Sequence, residues 1–575
     1  MDVISSLVNL ILVFGLFGTI SSAQRNFEVP WSKEKYGPDG PWQAVTITLG
    51  GIDNNQFVDV QNHSKIDVYP GNDWEVLSFT DEACDPYPNS ICGIGGFWEP
   101  DQDALAGLDI ISWPYSYVDD SYGMNVQDAQ RIYMGLTISG KTVYNASLVS
   151  ARYGNITYPN GQVGGVPLGV LPLGGDKVAQ YFITDSTTIG KNITAWTFPG
   201  RLYSDGDIPS FSYGLHIGSA SFNYPGSLVY GGYNKGRVIG PVTSFKNASA
   251  VDLLDIGIGV EHGNSPFNFT SKQNLLVDNL GKTGQIVKVK PDPLQLYLAL
   301  PGKTCEELAN LLPVTFDQTT KYYLWNVNDP GFHRIVTSPT YLSFTFPPPP
   351  GDSDDVVIKV PFALLNLTLD HPITEKATQY FPCHAYDKPG ALHHLGRAFL
   401  QAAFLGRNYE TGYSWLAQAP GPGVSGAGLG DSNTDISRDA IMIEGFTDPG
   451  SFNRSWAGHW SVIDSPSAAK PPSSSASHNT PQSTALSSGG LSTGAIAGIC
   501  VGAFFAAIAM IGFAVLLWRR RQRVNNHTCM TRKDKHDMKH LGAGIIAYEG
   551  EQVYEAPGSL LLPQEAPDTN DPRMK

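Results

Sequence analysis

Charge is scarce in this chain, and so is helical periodicity. Only 16% of its 575 residues are charged, against 42% hydrophobic. The basic residues form no cluster before residue 519. A phosphate backbone must be neutralised by grouped Lys and Arg, so this pattern and the net charge of −15 argue against a nucleic-acid partner. Cysteine is sparse too, with six residues and no CxxC frame. An HExxH frame is also missing, so His384, His393 and His394 read as structural histidines, with no metal and no other cofactor expected. What the chain does have is 61 Gly and 41 Pro, spaced between short runs such as AVTITLG (44–50), GSLVYGG (226–232), QIVKVK (285–290) and YLSFTF (341–346). That is strand-and-turn writing, and it predicts an all-β body. One amphipathic segment, CEELANLL (305–312), is predicted as a helix, with Thr304 as N-cap and Glu307 completing a capping box.

The ends carry targeting signals. Residues 1–23 hold an apolar run closing on small residues, which predicts a secretory signal peptide cut near Ala23. Residues 495–518 form a run of 24 residues without a charge, enough to cross a hydrocarbon core of roughly 30 Å as one transmembrane helix. Arg519, Arg520, Arg521 and Arg523 follow at once, so the positive-inside rule gives a single-pass type I protein of the plasma membrane, with its large N-terminal part extracellular. Gly494, Gly498 and Gly502 recur at every fourth residue, a spacing that lets two membrane helices pack as a homodimer. Residues 464–494 are a Ser/Thr/Pro-rich stalk, too polar to pack. The cytosolic tail, 519–575, starts basic against anionic lipid heads and continues as a disordered segment.

An oxidising compartment leaves Cys84, Cys92, Cys305 and Cys383 to form disulfides, with Cys500 in the membrane run and Cys529 in the tail. Four cysteines allow three pairings. Cys84 with Cys92 and Cys305 with Cys383 is preferred, because the first closes a short Pro-rich loop and the second staples distant parts of one lobe. Sequons at Asn62, Asn145, Asn155, Asn192, Asn247, Asn268, Asn366 and Asn453 predict a glycosylated surface. Two motifs mislead. GLTISGKT (135–142) spells a phosphate loop, but a strand-like continuation with a sequon follows where a helix must start, so a hairpin turning on SGK is expected. GLSTG (490–494) spells a serine-hydrolase elbow with no folded domain around it.

Ordered landmarks along 36–419 resemble the pepsin-like aspartic peptidases, in particular the membrane-anchored members found in fungi. YGPDGPWQAVTITLGG resembles their opening strand, and GVPLGVLPLGG their hydrophobic-hydrophobic-Gly segment. PSFSYGLHIG with GSLVYGGYNKGRVIGPV resembles the crossing between lobes. VKVKPDPLQLYLALP is similar to the second catalytic strand, and HHLGRAFLQAAFLGRNYETGYSWLA to the closing strands. The two preferred disulfides sit where the family tends to place one in each lobe. The resemblance implies a bilobal pepsin-like fold, with lobes 36–232 and 233–419, an unassigned extension 420–463, and a cleft accepting a peptide or glycan.

It also implies two Asp residues, each followed by Thr or Ser and Gly, that share a proton. At the first position the chain reads Tyr69, Pro70, Gly71, and a phenol with a reference pKa near 10 cannot stand in for a carboxylate. Counting back from Pro301 puts Asp292 at the second, followed by Pro293 and Leu294. The flap region is matched by ARYGNITYPNG (151–161), with Tyr153 read as a strand aromatic. The expectation is a proteolytically inactive surface module for binding, sensing or adhesion. The alternatives are an active endopeptidase, with Asp67 or Asp73 pairing with Asp292, and a structural cell-wall glycoprotein.

Overall fold

A computed structural model describes residues 26–50, 64–71, 74–87, 91–99, 111–119, 123–183, 192–246, 250–388, 390 and 392–464. The expected signal segment, the stalk beyond residue 464, the membrane run with Gly494, Gly498 and Gly502, the GLSTG motif and the tail lie outside these residues, as do Asn62, Asn247 and Asp73. Among the described residues no helix is long and apolar enough to cross a membrane.

The expected strand segments are strands, and they build a mainly β body within one compact unit, Met1–Pro471. AVTITLG contains Val45–Leu49, GSLVYGG contains Ser227–Tyr230, QIVKVK contributes to Val287–Pro291, and YLSFTF lies in Thr340–Phe346. Alternation explains the first of these. Val45, Ile47 and Leu49 are buried while Thr46 and Thr48 are half-exposed, the period-2 pattern of a sheet with one covered face. The first half of the chain forms a ten-stranded sheet that includes Val45–Leu49, Ser64–Gly71 and Gly169–Pro172. The second half forms a five-stranded and two four-stranded sheets. A six-stranded sheet joins the halves, because Ser212–His216 pairs antiparallel with Ala403–Asn408, Gly214 standing opposite Gly406. One apolar cluster runs from Val29 to Trp456.

The SGK turn is a hairpin as expected. Ile138 stands opposite Lys141, and Ser139 and Gly140 both take positive φ (47° and 78°), which is the two-residue turn that suits the right-handed twist of its strands. Both preferred disulfides are present, Cys84–Cys92 and Cys305–Cys383. The helix near residue 305 differs from expectation: it spans Gly302–Ala309, with Pro301 rather than Thr304 at the cap. Thr304 is buried, and its hydroxyl donates to the Val277 carbonyl (2.7 Å) and accepts from the Val277 amide (2.9 Å), so a tertiary partner has taken the group a capping box needs.

The extension 420–463, unassigned from sequence, packs on the same body. Asn433–Asp435 pairs with Gly232–Asn234, and Trp456 stacks on Trp460 at 5.3 Å and meets the edge of Phe222 at 5.4 Å. Of the described sequons, Asn145 and Asn268 are exposed, Asn155, Asn366 and Asn453 half-buried, and Asn192 opens the strand Asn192–Trp196.

Candidate functional site

Each half of the chain contains one parallel crossing built around a proline. In the first, Ser64–Gly71 runs beside Gly169–Pro172, with Tyr69 opposite Val170 and Pro70 opposite Leu171. In the second, Val287–Pro291 runs beside His393–Leu395, with Lys290 opposite His394 and Pro291 opposite Leu395. The hydrogen bonds continue alike: the Leu173 amide donates to the Gly71 carbonyl (3.0 Å), and the Asp292 amide to the Leu395 carbonyl (3.1 Å). Laying Pro70 on Pro291, each opposite a leucine, puts Tyr69 on Lys290 and Gly71 on Asp292. By this register Tyr69 and Lys290 stand at like places in the two crossings, and Asp292 lies two residues beyond Lys290. The return strand enters one residue later in the second half. From Pro70 the chain meets Val170 again at Leu77, whereas from Pro291 it meets His394 again at Ala299.

The two turns face each other, since a Cβ placed on Gly71 would stand 4.0 Å from Leu294 Cβ and 2.4 Å from Val170 Cγ1. That close approach accounts for glycine at 71. Between them lies Arg397, the first residue of the short helix Arg397–Leu400. It is 2% exposed, its Cζ is 3.5 Å from the Tyr69 ring centroid, and its Nε donates to the Pro293 carbonyl at 2.8 Å. A guanidinium over the face of a buried phenol is a cation–π contact.

Asp292 is 4% exposed and accepts from Lys290 Nζ (2.7 Å) and the Leu294 amide (3.0 Å), with His394 Nδ1 at 3.6 Å, beyond direct hydrogen-bond reach. Burial alone would push its pKa up. The His394 imidazole and the Lys290 ammonium outweigh that and hold the carboxyl well below the usual range. None of these partners is a carboxyl group. Asp67 sits apart, accepting from the hydroxyls of Ser32, Tyr36 (2.5 Å) and Thr46 (2.6 Å), all in the first half of the chain. Burial lowers the pKa of His384 and of His393. Among the described residues no cluster of three or more His, Cys, Asp or Glu side chains is placed to hold a metal. Tyr153 is half-exposed on the strand Lys141–Thr157, opposite Gln127.

Hydrogen bonds of the segment around Asp39 tie the two halves together. Gly40 and Pro38 carbonyls accept from the Thr368 and Asp370 amides (3.0 and 2.6 Å), and the Asp39 carbonyl accepts from the Tyr380 hydroxyl (2.6 Å). The Asp39 carboxyl, 1% exposed, accepts from the Tyr297 hydroxyl (2.7 Å) and Trp42 Nε1 (3.1 Å). Further along, Gln162 Nε2 donates to the Pro372 carbonyl (2.8 Å).

Sequence reasoning missed Lys290, Arg397 and Asp39. The signal for Lys290 was present as an internal repeat, VYPG at 68–71 against VKPD at 289–292. For Arg397 it was a single charge inside the apolar text HHLGRAFL.

No family model matches the chain, and no curated protein matches it. Among solved structures it is similar to an aspartic proteinase from Irpex lacteus, at 12% identity and a TM-score of 0.42, over 69% of this chain and 98% of that one. A likeness of that size speaks for no activity in this chain.

Proposed function

We propose that this chain is a cell-surface glycoprotein whose extracellular part has the two-lobed architecture of pepsin-like aspartic peptidases without their acid pair, and that it serves binding, sensing or adhesion. The observation that carries the reading is the occupancy of the two matched crossings, Tyr69 in one and Lys290 in the other. Peptide hydrolysis of this type needs two carboxyl groups about 3 Å apart, so that their repulsion leaves one as acid and one as base. A phenol and an ammonium cannot share a proton in that way. Asp292, two residues beyond Lys290, is bound to that lysine and stays ionised.

The signal segment, the stalk and the apolar run at 495–518 support a type I anchor in the plasma membrane. Exposed Asn145 and Asn268 support glycans on the body. A peptide or glycan between the lobes is the proposed ligand, and the glycines at 494, 498 and 502 the proposed dimer seam.

The test is to incubate the purified full chain with unfolded protein between pH 3 and 6, with and without a transition-state peptide inhibitor. No inhibitor-sensitive cleavage is expected. Cleavage that the inhibitor blocks and that Asp292→Ala abolishes would make the chain a peptidase.

A further inference from the structure

The uncovered face of the first sheet carries a polar trough. Across three paired strands Lys65, Thr48 and Thr137 stand in one row, and Asp67 stands opposite Thr46 in the next. Their neighbours along each strand, such as Ile47, Leu49 and Ile66, are buried, whereas these five are half-exposed or exposed. Residues 30–34 run beside this floor, held where the Ser32, Tyr36 and Thr46 hydroxyls converge on the Asp67 carboxylate. Floor and segment bound an open space of about 640 Å³, within the roughly 300–1,000 Å³ of sites that take small organic ligands. Several of its polar groups are idle. Among the described residues neither the Thr48 hydroxyl nor the Lys65 ammonium has a partner, and the Ser139 hydroxyl at the end of the trough has none either. Three donors reach Asp67, which leaves its carboxylate room for one more.

We propose that this trough binds a short, uncharged oligosaccharide. Charge excludes an ionic ligand as the best fit, because Lys33 and Lys65 are balanced by Glu34 and Asp67. The lining offers donors, acceptors and hydroxyls that act as both, which matches a ligand that donates and accepts along its whole length. Trp31 and Pro30 supply an apolar wall for the C–H faces of sugar rings. A peptide fits less well. Recognition of an extended peptide by a sheet uses free backbone at an edge, but Val45–Leu49 is paired with Ser64–Gly71 on one side and meets Thr137, Leu136 and Trp31 on the other. Only side chains are left to face the ligand. Tyr69, Lys290 and Arg397 do not line the trough, so the inference rests neither on a ligand between the halves nor on the absence of peptidase activity.

The test uses the full chain, purified without sugar-based detergent, and saturation-transfer NMR on maltotriose, cellotriose, chitotriose and mannotriose, with hexaglycine as the peptide probe. Saturation of at least one trisaccharide is expected, and none of hexaglycine. Thr48→Val together with Lys65→Gln is expected to weaken that binding about tenfold or more, the loss of one or two hydrogen bonds. Thr48→Val alone exchanges an uncovered hydroxyl for a methyl group of the same shape and is expected to weaken it about threefold. Neither side chain is buried, so an unchanged Tm is expected to show that both variants fold. Three results overturn the site: no trisaccharide receives saturation, sugar binding is unchanged in the double variant and so lies elsewhere on the chain, or hexaglycine binds and is lost with the same substitutions.

Discussion

Asp39→Ala is expected to destabilise the chain by about 3–5 kcal/mol, the usual cost of removing one partner from a buried, charged hydrogen-bond network. The carboxyl is 1% exposed and is the acceptor for both the Tyr297 hydroxyl and Trp42 Nε1. Tyr297 in turn shares a hydrogen bond with the Tyr322 hydroxyl (2.7 Å), so the loss reaches a second buried phenol. The network also spans the two halves: Asp39 and Trp42 belong to the first, and Tyr297, Tyr322 and Tyr380 to the second. Asp39→Asn keeps a carbonyl oxygen for one donor and is expected to cost only about 1–2 kcal/mol. Urea unfolding at constant pH measures both. Equal and small effects would mean that this segment does not hold the halves together.

The second large effect concerns pH. His216 is fully buried, and its pKa is lowered to about 3, first by burial and then by the charge of Arg237. The geometry is that of a neutral ring: Nε2–H donates to the Gln401 carbonyl (2.9 Å), while Nδ1 accepts from Arg237 Nη1 (3.4 Å). A second proton on Nδ1 would point at the guanidinium. Because the folded pKa lies below the unfolded value, the unfolded chain binds the extra proton first as acid is added. The stability this histidine contributes is therefore whole above about pH 6.5 and lost as pH falls toward 3, by about 4–5 kcal/mol in total. Asp292 adds a loss of the same sign in a lower window, below about pH 3.9, since its folded pKa is also depressed. Unfolding midpoints taken from pH 7 to 4 should fall steeply in the native chain and less in His216→Gln. A flat native profile would contradict the assignment. The range in which an acid dyad works is thus the range in which this fold weakens.

How much of this was legible in the sequence depends on where the information resides. Alternation in VTITL, the Ser139–Gly140 turn and the Cys84–Cys92 pair are local or nearly local, and the structure agrees with each, as it does with the long-range Cys305–Cys383 pair that was left once the first was closed. The capping box at Thr304 was a local signal overridden by Val277, which is distant in sequence. Residues 420–463 lack a periodic pattern because their order comes from contacts such as Asn408 Nδ2 with the Ser437 and Arg438 carbonyls (both 3.1 Å), not from their own propensities.

The site divides the same way. Tyr69 could be singled out from the pattern around it, and the structure places it in the first crossing, opposite Val170. Lys290 stands out only when the pairing opposite His394 is known. Arg397 and Asp39 acquire meaning only when the fold brings an isolated charge against Tyr69 and a turn aspartate among three tyrosines.

The central claim is that Asp292 is ionised and that, among the described residues, it shares no proton with a second carboxyl group. Carbon-13 NMR of the aspartate side-chain carboxyl carbons in the full chain, with Asp292 assigned through Asp292→Asn, tests it directly. The account predicts a single titration step for Asp292, below the usual carboxylate range, with no second carboxyl moving with it. Two coupled steps, one below the usual carboxylate range and one above it, as in acid dyads that share a proton, would contradict it.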